Sequence, residues 1–153
     1  MRALLQRVTR ASVRVDDEQV AEIGDGLLVL LGVGREDDER VADGLATRIA
    51  EVRIFRDEGG RTNRSLLETG GGAIVVSQFT LYADTSRGRR PGFTEAAPPD
   101  LAERLYLGVA DRLHALGVAP VKTGRFGAEM AVELVNDGPF TLWLDTQDRT
   151  RRG

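Results

Sequence analysis

Cysteine is missing from all 153 residues, and histidine occurs once, at His114. The first absence excludes disulfides, thiolate nucleophiles and cysteine-ligated metals. It fits a reducing compartment, so a cytoplasmic location is expected. The second leaves no support for a histidine-based triad or a histidine-ligated metal. No apolar run approaches the roughly 20 residues of a membrane span. Arg2, Gln6, Arg7 and Arg10 interrupt any signal-peptide apolar centre, so neither a leader nor a membrane partner is expected. A basic excess is lacking too. The net charge of −3 argues against a nonspecific nucleic-acid coat, and DNA is not an expected partner. Local patches remain for a few RNA phosphates: Arg87, Arg89 and Arg90 in one segment, Lys122 and Arg125 in another. The carboxylates form no metal-loop spacing, and no cofactor is expected. Gly32-Val33-Gly34 imitates a dinucleotide loop, but Glu36, Asp37, Asp38 and Glu39 crowd the following helix start and would repel a pyrophosphate. A glycine turn before a capped helix is the simpler reading.

The length suits one domain with a real core. Residues 2–15 alternate with period two. Ala3, Leu5, Ala11, Val13 and Val15 share one phase; Arg2, Gln6, Arg10, Ser12 and Arg14 share the other. That pattern predicts a half-buried strand. Asp16-Asp17-Glu18 predicts a turn and 19–23 a second strand. Gly24-Asp25-Gly26 predicts another turn, into the doubly apolar central strand 27–31. Asp37 is the expected N-cap of a helix with Val41, Leu45, Ile49 and Val52 on one stripe. A short strand at 53–56 and a loop through Asn63 follow, then Gly70-Gly71-Gly72 before the buried strand 73–76. Pro98-Pro99 opens a second helix, with Leu101, Leu105, Val109, Leu113 and Leu116 on one face and Gly117 ending it. His114 lies roughly opposite that face, toward solvent. Strands at 130–136 and 140–145 close the chain. The sum is an α+β single domain, with a mostly antiparallel, barrel-like sheet and two amphipathic helices.

Two polar blocks sit beside β-like runs: Ser77-Gln78-Phe79-Thr80-Leu81 after 73–76, and Asn136-Asp137-Gly138-Pro139-Phe140-Thr141 after 132–135. Loops anchored by strands carry binding and catalytic groups disproportionately. The Ser77 and Thr80 hydroxyls have no visible activating base and also suit backbone bonding at a strand end. Gly138-Pro139 also reads as a hairpin turn. Arg7 falls on the apolar phase of the first strand. A buried guanidinium needs acceptors, so Arg7 is expected to have a partner or to line a pocket.

These blocks resemble the D-aminoacyl-tRNA deacylases, together with Leu5-Gln6-Arg7-Val8-Thr9-Arg10-Ala11-Ser12-Val13, Gly88-Arg89-Arg90-Pro91-Gly92-Phe93 and Thr123-Gly124-Arg125-Phe126-Gly127-Ala128. The similarity spans about residues 1–145, the expected domain, and leaves 146–153 as a basic, flexible tail. The resemblance implies a homodimer that hydrolyses the ester of D-aminoacyl-tRNA, and of mischarged glycyl-tRNA, at the 3′ end. It implies that Ser77, Gln78, Phe79 and Thr80 form the catalytic floor of the pocket. It further implies that Gly138 and cis-Pro139 enter the partner's pocket to reject L-amino acids. Arg7, Asn136 and Thr141 would support that motif, and Phe126 and Met130 would line the adenosine side. The family is thought to use the 2′-OH of the terminal ribose. Thr80 as a covalent nucleophile is the competing mechanism, and a catalytically silent tRNA 3′-end binding module the competing function. One departure is visible: Phe140 stands where a valine often follows Gly-Pro.

Overall fold

The computed structural model describes residues 1–150, and one long strand organises them. β1 (Arg2–Val15) carries ladders on both edges. Along one edge it pairs antiparallel with β3 (Gly26–Gly32) over its first half and with β2 (Glu18–Ile23) over its second. Asp16 makes the reversal between β1 and β2 with a left-handed φ of 53°, a conformation aspartate tolerates. Val8 pairs with Gly26 and Ala11 with Ile23 in one continuous register. Gly24-Asp25 is therefore a kink in a continuing ribbon, not the predicted turn.

β8 (Ala131–Asp145) follows the opposite edge of β1, also antiparallel. β6 (Gly72–Ser77) joins β3 in parallel, and β7 (Val121–Thr123) joins β6 in parallel. The ribbon curls until Ile23 on β2 abuts Gly72 on β6, giving a barrel-like wall.

Two apolar cores result. Leu27, Val29 and Leu31 of β3 and Ala73 and Val75 of β6 face the helices; Leu28, Ile74 and Val76 face inside the curl. The period-two reading of β1 needs one correction. Ala3 and Leu5 join the helix-side core, whereas Ala11 and Val13 join the inner core with Val8. The register against β8 slips between Val8 and Arg10, and that bulge turns the second half of the strand over. Arg7 precedes the slip and so points to the helix side.

α1 (Glu39–Glu51) and α3 (Pro99–Leu116) cover that side, burying Leu45 and Ile49, and Leu105, Val109 and Leu113. The N-cap of α1 is Asp38, whose side chain accepts from the Val41 N–H at 3.0 Å. Asp37, predicted for that role, instead accepts from the Gly34 N–H at 2.6 Å and from the Met1 ammonium at 2.9 Å. α3 starts at Pro99 and ends at Gly117, φ 110°, as predicted, with His114 exposed.

β4 (Phe55–Arg56) falls within the short strand expected at 53–56, and it pairs with β5 (Thr62–Arg64), a strand not anticipated at the end of the expected loop. α2 (Leu66–Thr69) is a single turn capped by Ser65 and closed by Gly70. Finally, 131–145 is one strand rather than two. α4 (Thr146–Thr150) opens the segment predicted as a tail, and its Thr146 N–H donates to the Met1 carbonyl at 2.9 Å. Residues 151–153 lie outside the described residues. Among the described residues no helix is long and apolar enough to cross a membrane.

Candidate active site

β6 runs out at Ser77, beside Leu31 on its parallel neighbour β3. The Gln78 N–H donates to the Leu31 carbonyl at 2.8 Å, and the chain then tightens into a 3-10 turn, Phe79–Tyr82. The turn lies directly on β3. A Cβ at Gly32 would come within 3.2 Å of the Gln78 carbonyl, Leu81 and Tyr82, so only glycine fits there without displacement. Arg2 fastens the turn from beneath. Its guanidinium sits 4.4 Å from the Tyr82 ring centre and 5.8 Å from that of Trp143, and Nη1 donates to the Leu81 carbonyl at 2.8 Å. Burial, and then Asp37, push the Tyr82 phenol pKa far above its ordinary value.

Beside this turn opens a cavity of about 660 Å³. Val76, Ser77, Gln78 and Phe79 line one side; Phe126, Met130 and Val132 line another. Phe93 completes the rim, its ring edge-on to Phe79 at 4.9 Å between centres. Phe126 stacks on Tyr106 at 5.8 Å, and Tyr106 donates to the Gly124 carbonyl at 3.4 Å. The lining is apolar and aromatic with a few polar groups, the usual make-up of a small-ligand site. None of the lining side chains is titratable. Thr80 stands outside the lining, exposed, and its hydroxyl accepts a bond from the Gln78 side-chain amide.

The second block lies elsewhere. Gln6 pairs with Thr141 and Val8 with Asn136, so 137–140 leave the ladder opposite Arg7 alone and then rejoin it. This corrects the hairpin reading, because both flanks pair with β1 in one direction. Asn136 closes the base of the excursion. Its Oδ1 accepts from the Phe140 N–H at 2.6 Å, and its amide donates to the Thr141 hydroxyl at 3.0 Å.

Arg7 holds the side of the loop. Only 4% exposed, it donates from Nε to the Asp137 carbonyl at 2.9 Å and from Nη1 to the Ile54 carbonyl at 2.6 Å. Its guanidinium lies 4.8 Å from the Phe140 ring centre. Burial and the nearby Arg56 lower its pKa, while Asp137 pulls it back up. The Asp137 carboxylate meets Arg56 at 2.9 Å. Gly138 has φ 145°, and a Cβ there would lie 2.8 Å from the Phe140 N–H nitrogen. The Gly138–Pro139 peptide is cis, and both residues are exposed.

The residues singled out in the sequence thus form two groups. Ser77, Gln78, Phe79, Phe126 and Met130 meet in the cavity, with Thr80 beside it. Arg7, Asn136, Gly138, Pro139 and Thr141 meet in the loop, and neither Gly138 nor Pro139 lines the cavity of its own chain. Sequence reasoning missed Arg2, Arg56, Phe93 and Asp137 as parts of these assemblies. Asp137 was visible inside its motif; Arg56 carried no local signal.

A family model described as D-Tyr-tRNA(Tyr) deacylase matches residues 4–145. The chain belongs to that family. As a member it is a hydrolase. It is 59% identical to a D-aminoacyl-tRNA deacylase of Thermomicrobium roseum, covering 97% of this chain and 96% of that one. It is 62% identical to one of Roseiflexus sp., covering 95% and 94%. Among solved structures, one titled c-Myc DNA Unwinding Element Binding Protein matches with a TM-score of 0.89 at 39% identity, covering 95% of this chain and 98% of that chain. A probable eukaryotic D-amino acid tRNA deacylase shares the fold, with a TM-score of 0.82 at 18% identity over 94% and 97%.

Proposed function

We propose that the protein hydrolyses the ester between a D-amino acid, or glycine, and the 3′-terminal ribose of tRNA. Water adds to the ester carbonyl, and the free amino acid and an intact tRNA 3′ end leave. The observation that carries this reading is the cavity at the end of β6, with aromatic walls, Ser77 and Gln78 at its floor, and no titratable side chain in its lining. An adenine base fits between Phe126, Met130 and the Phe79–Phe93 pair, and the aminoacyl group lies over Gln78.

With no side-chain base at hand, the 2′-OH beside the ester orients or activates the water, while the protein holds the geometry. Proximity of this kind supplies roughly 7–11 kcal/mol in favourable cases. The N–H groups of Phe79 and Thr80 begin a helical turn and lack acceptors within it, which suits them to an oxyanion. Such donors contribute about 2.7–4 kcal/mol each in known hydrolases. The competing scheme, with Thr80 as covalent nucleophile, has less support. Thr80 stands outside the cavity lining, and its bonded neighbour Gln78 is not a base.

Chiral selection falls to the Gly138–Pro139 loop of a second copy. The loop is fastened at its base by Asn136 and at its side by Arg7, while its tip is exposed and clear of its own cavity. Inserted into a partner's cavity, its backbone would fill the volume an L side chain needs, whatever that side chain is. The rejection is therefore general for L residues and weak between glycine and small D residues. β8 supports the homodimer. It pairs with β1 alone, and its open edge carries exposed Val132, Val135 and Trp143.

The test is hydrolysis of matched D-, L- and glycyl-tRNA by the purified protein. Turnover of D and glycine with L spared supports the reading. Binding without turnover would make the chain a 3′-end binding module. A tRNA ending in 2′-deoxyadenosine should react poorly if the ribose hydroxyl takes part, and normally if Thr80 is the nucleophile.

A further inference from the structure

Past the cavity rim, the chain makes a pinned loop that the chemistry above leaves unused. Asp84 and Gly92 exchange two backbone bonds, of 2.7 and 2.9 Å, closing off residues 85–91. The Asp84 carboxylate accepts from the Ser86 N–H at 2.9 Å and hydroxyl at 2.6 Å, which hold its pKa below the ordinary value. Gly88, φ 76°, reverses the chain between Arg87 and Arg89. Arg87, Arg89 and Arg90 are all exposed, and none of the three forms an ion pair among the described residues. In a chain of net charge −3 they form a local positive island. One residue beyond the closing bridge stands Phe93, which packs on Phe79 at the cavity rim. The closing bridge of the loop that carries the island thereby stands next to the cavity rim. Arg125, next to Phe126 on another wall, differs: it is engaged with Glu18 at 3.5 Å.

We propose that Arg87, Arg89 and Arg90 form a phosphate clamp for the acceptor strand of the aminoacyl-tRNA, gripping consecutive phosphodiesters that lead away from the terminal nucleotide in the cavity. This rests on the functional reading above and adds where the rest of the RNA lies. Guanidinium groups match phosphate oxygens with two donors each. Contacts of this kind carry no base information, so the clamp serves affinity across tRNAs and leaves the chemical step to the cavity.

The experiment compares wild type with the triple variant Arg87→Gln/Arg89→Gln/Arg90→Gln, using D-aminoacyl-tRNA and D-aminoacyl-adenosine over a range of salt. D-aminoacyl-adenosine has no phosphodiester and reports on the cavity alone. On tRNA the triple variant should show a raised KM with unchanged kcat. Its plot of log(1/KM) against log salt should be shallower by about 2, at roughly 0.7 per single-strand phosphate lost. Hydrolysis of D-aminoacyl-adenosine should not change. The matching triple lysine variant should regain most of the salt dependence. An unchanged salt slope in the glutamine variant overturns the clamp, as does an equal loss on both substrates, which would put the loop's effect inside the cavity. If wild type hydrolyses neither substrate, the functional reading itself fails and takes the clamp with it.

Discussion

Arg7 concentrates more of the proposed specificity than any other single side chain. It spends its guanidinium on two carbonyls, Asp137 and Ile54, and on the Phe140 ring, all far away in sequence. Replacing Arg7 by Ala leaves those carbonyls short of a donor but keeps the Asp137–Arg56 pair. The expected cost is about 1–3 kcal/mol for each carbonyl left without a donor, measured as a shift of the urea midpoint. The larger effect is expected on selectivity, with hydrolysis of L-aminoacyl-tRNA rising; an unchanged D-to-L ratio would separate Arg7 from chiral rejection. Lysine should rescue little, because one ammonium does not reproduce a planar fork serving two acceptors. At Thr80 the expectation is the opposite. Thr80→Ala removes only a hydroxyl outside the lining, so kcat should stay within about tenfold of wild type, equivalent to roughly 1.4 kcal/mol. Near-complete loss would restore the nucleophile scheme. Arg7 was legible in the sequence because a charge on an apolar phase demands an explanation. The resemblance implied that Arg7 supports the Gly138–Pro139 segment; its particular acceptors were not legible, since no local pattern connects residue 7 with the carbonyls of residues 54 and 137.

Among the elements, β8 departs most from its sequence reading. Gly-Pro between two β-like segments ordinarily means a reversal, yet here both segments pair with β1 in the same direction. Which strand lies alongside decides between a hairpin and an excursion, and that information is not local. The β3–β6 contact makes the same point with glycine. Gly26 has φ 154°, and a Cβ there would lie 1.9 Å from the Gly72 carbonyl oxygen. Its sequence neighbourhood suggested only a turn, whereas the need is close parallel approach of two buried strands. Gly26→Ala combines overpacking, about 1–3 kcal/mol, with backbone strain of about 1–3 kcal/mol. A loss of about 2–6 kcal/mol in chemical denaturation is therefore expected. A variant as stable as wild type would mean that the two strands can separate at no cost.

For the whole molecule, two properties depend on burial rather than on any one element. The first is alkaline stability. Burial raises the phenol pKa values of Tyr82 and Tyr106 above the ordinary value of 10.0, so the folded state favours their neutral forms. Their contribution is complete below about pH 10 and is lost as pH climbs toward the folded-state values, because the unfolded chain ionises first. Denaturation midpoints should thus fall above about pH 10, and Tyr82→Phe should make that decline shallower by up to about 1.4 kcal/mol per pH unit. The second is assembly. Val135 is 40% exposed on the open edge strand, so Val135→Lys should leave the fold intact while placing charge in the proposed dimer contact. Sedimentation should then report monomers, with D-to-L discrimination lost in parallel. A variant that stays dimeric and selective would locate the interface away from β8.

Alternation, helix stripes and end signals were enough to find β1, β3, β6, both long helices and the α+β class, because those patterns arise from the period of the backbone and the burial of one face. Ordered motifs were enough to find the family and the two groups of candidate residues. Distances between residues remote in sequence came from folding alone: the bulge that divides β1 between two cores, the packing of Phe93 on Phe79 at the cavity rim, and the Ile54 and Asp137 carbonyls that hold Arg7. Local periodicity says which face of a segment avoids water. It does not say which partner covers that face.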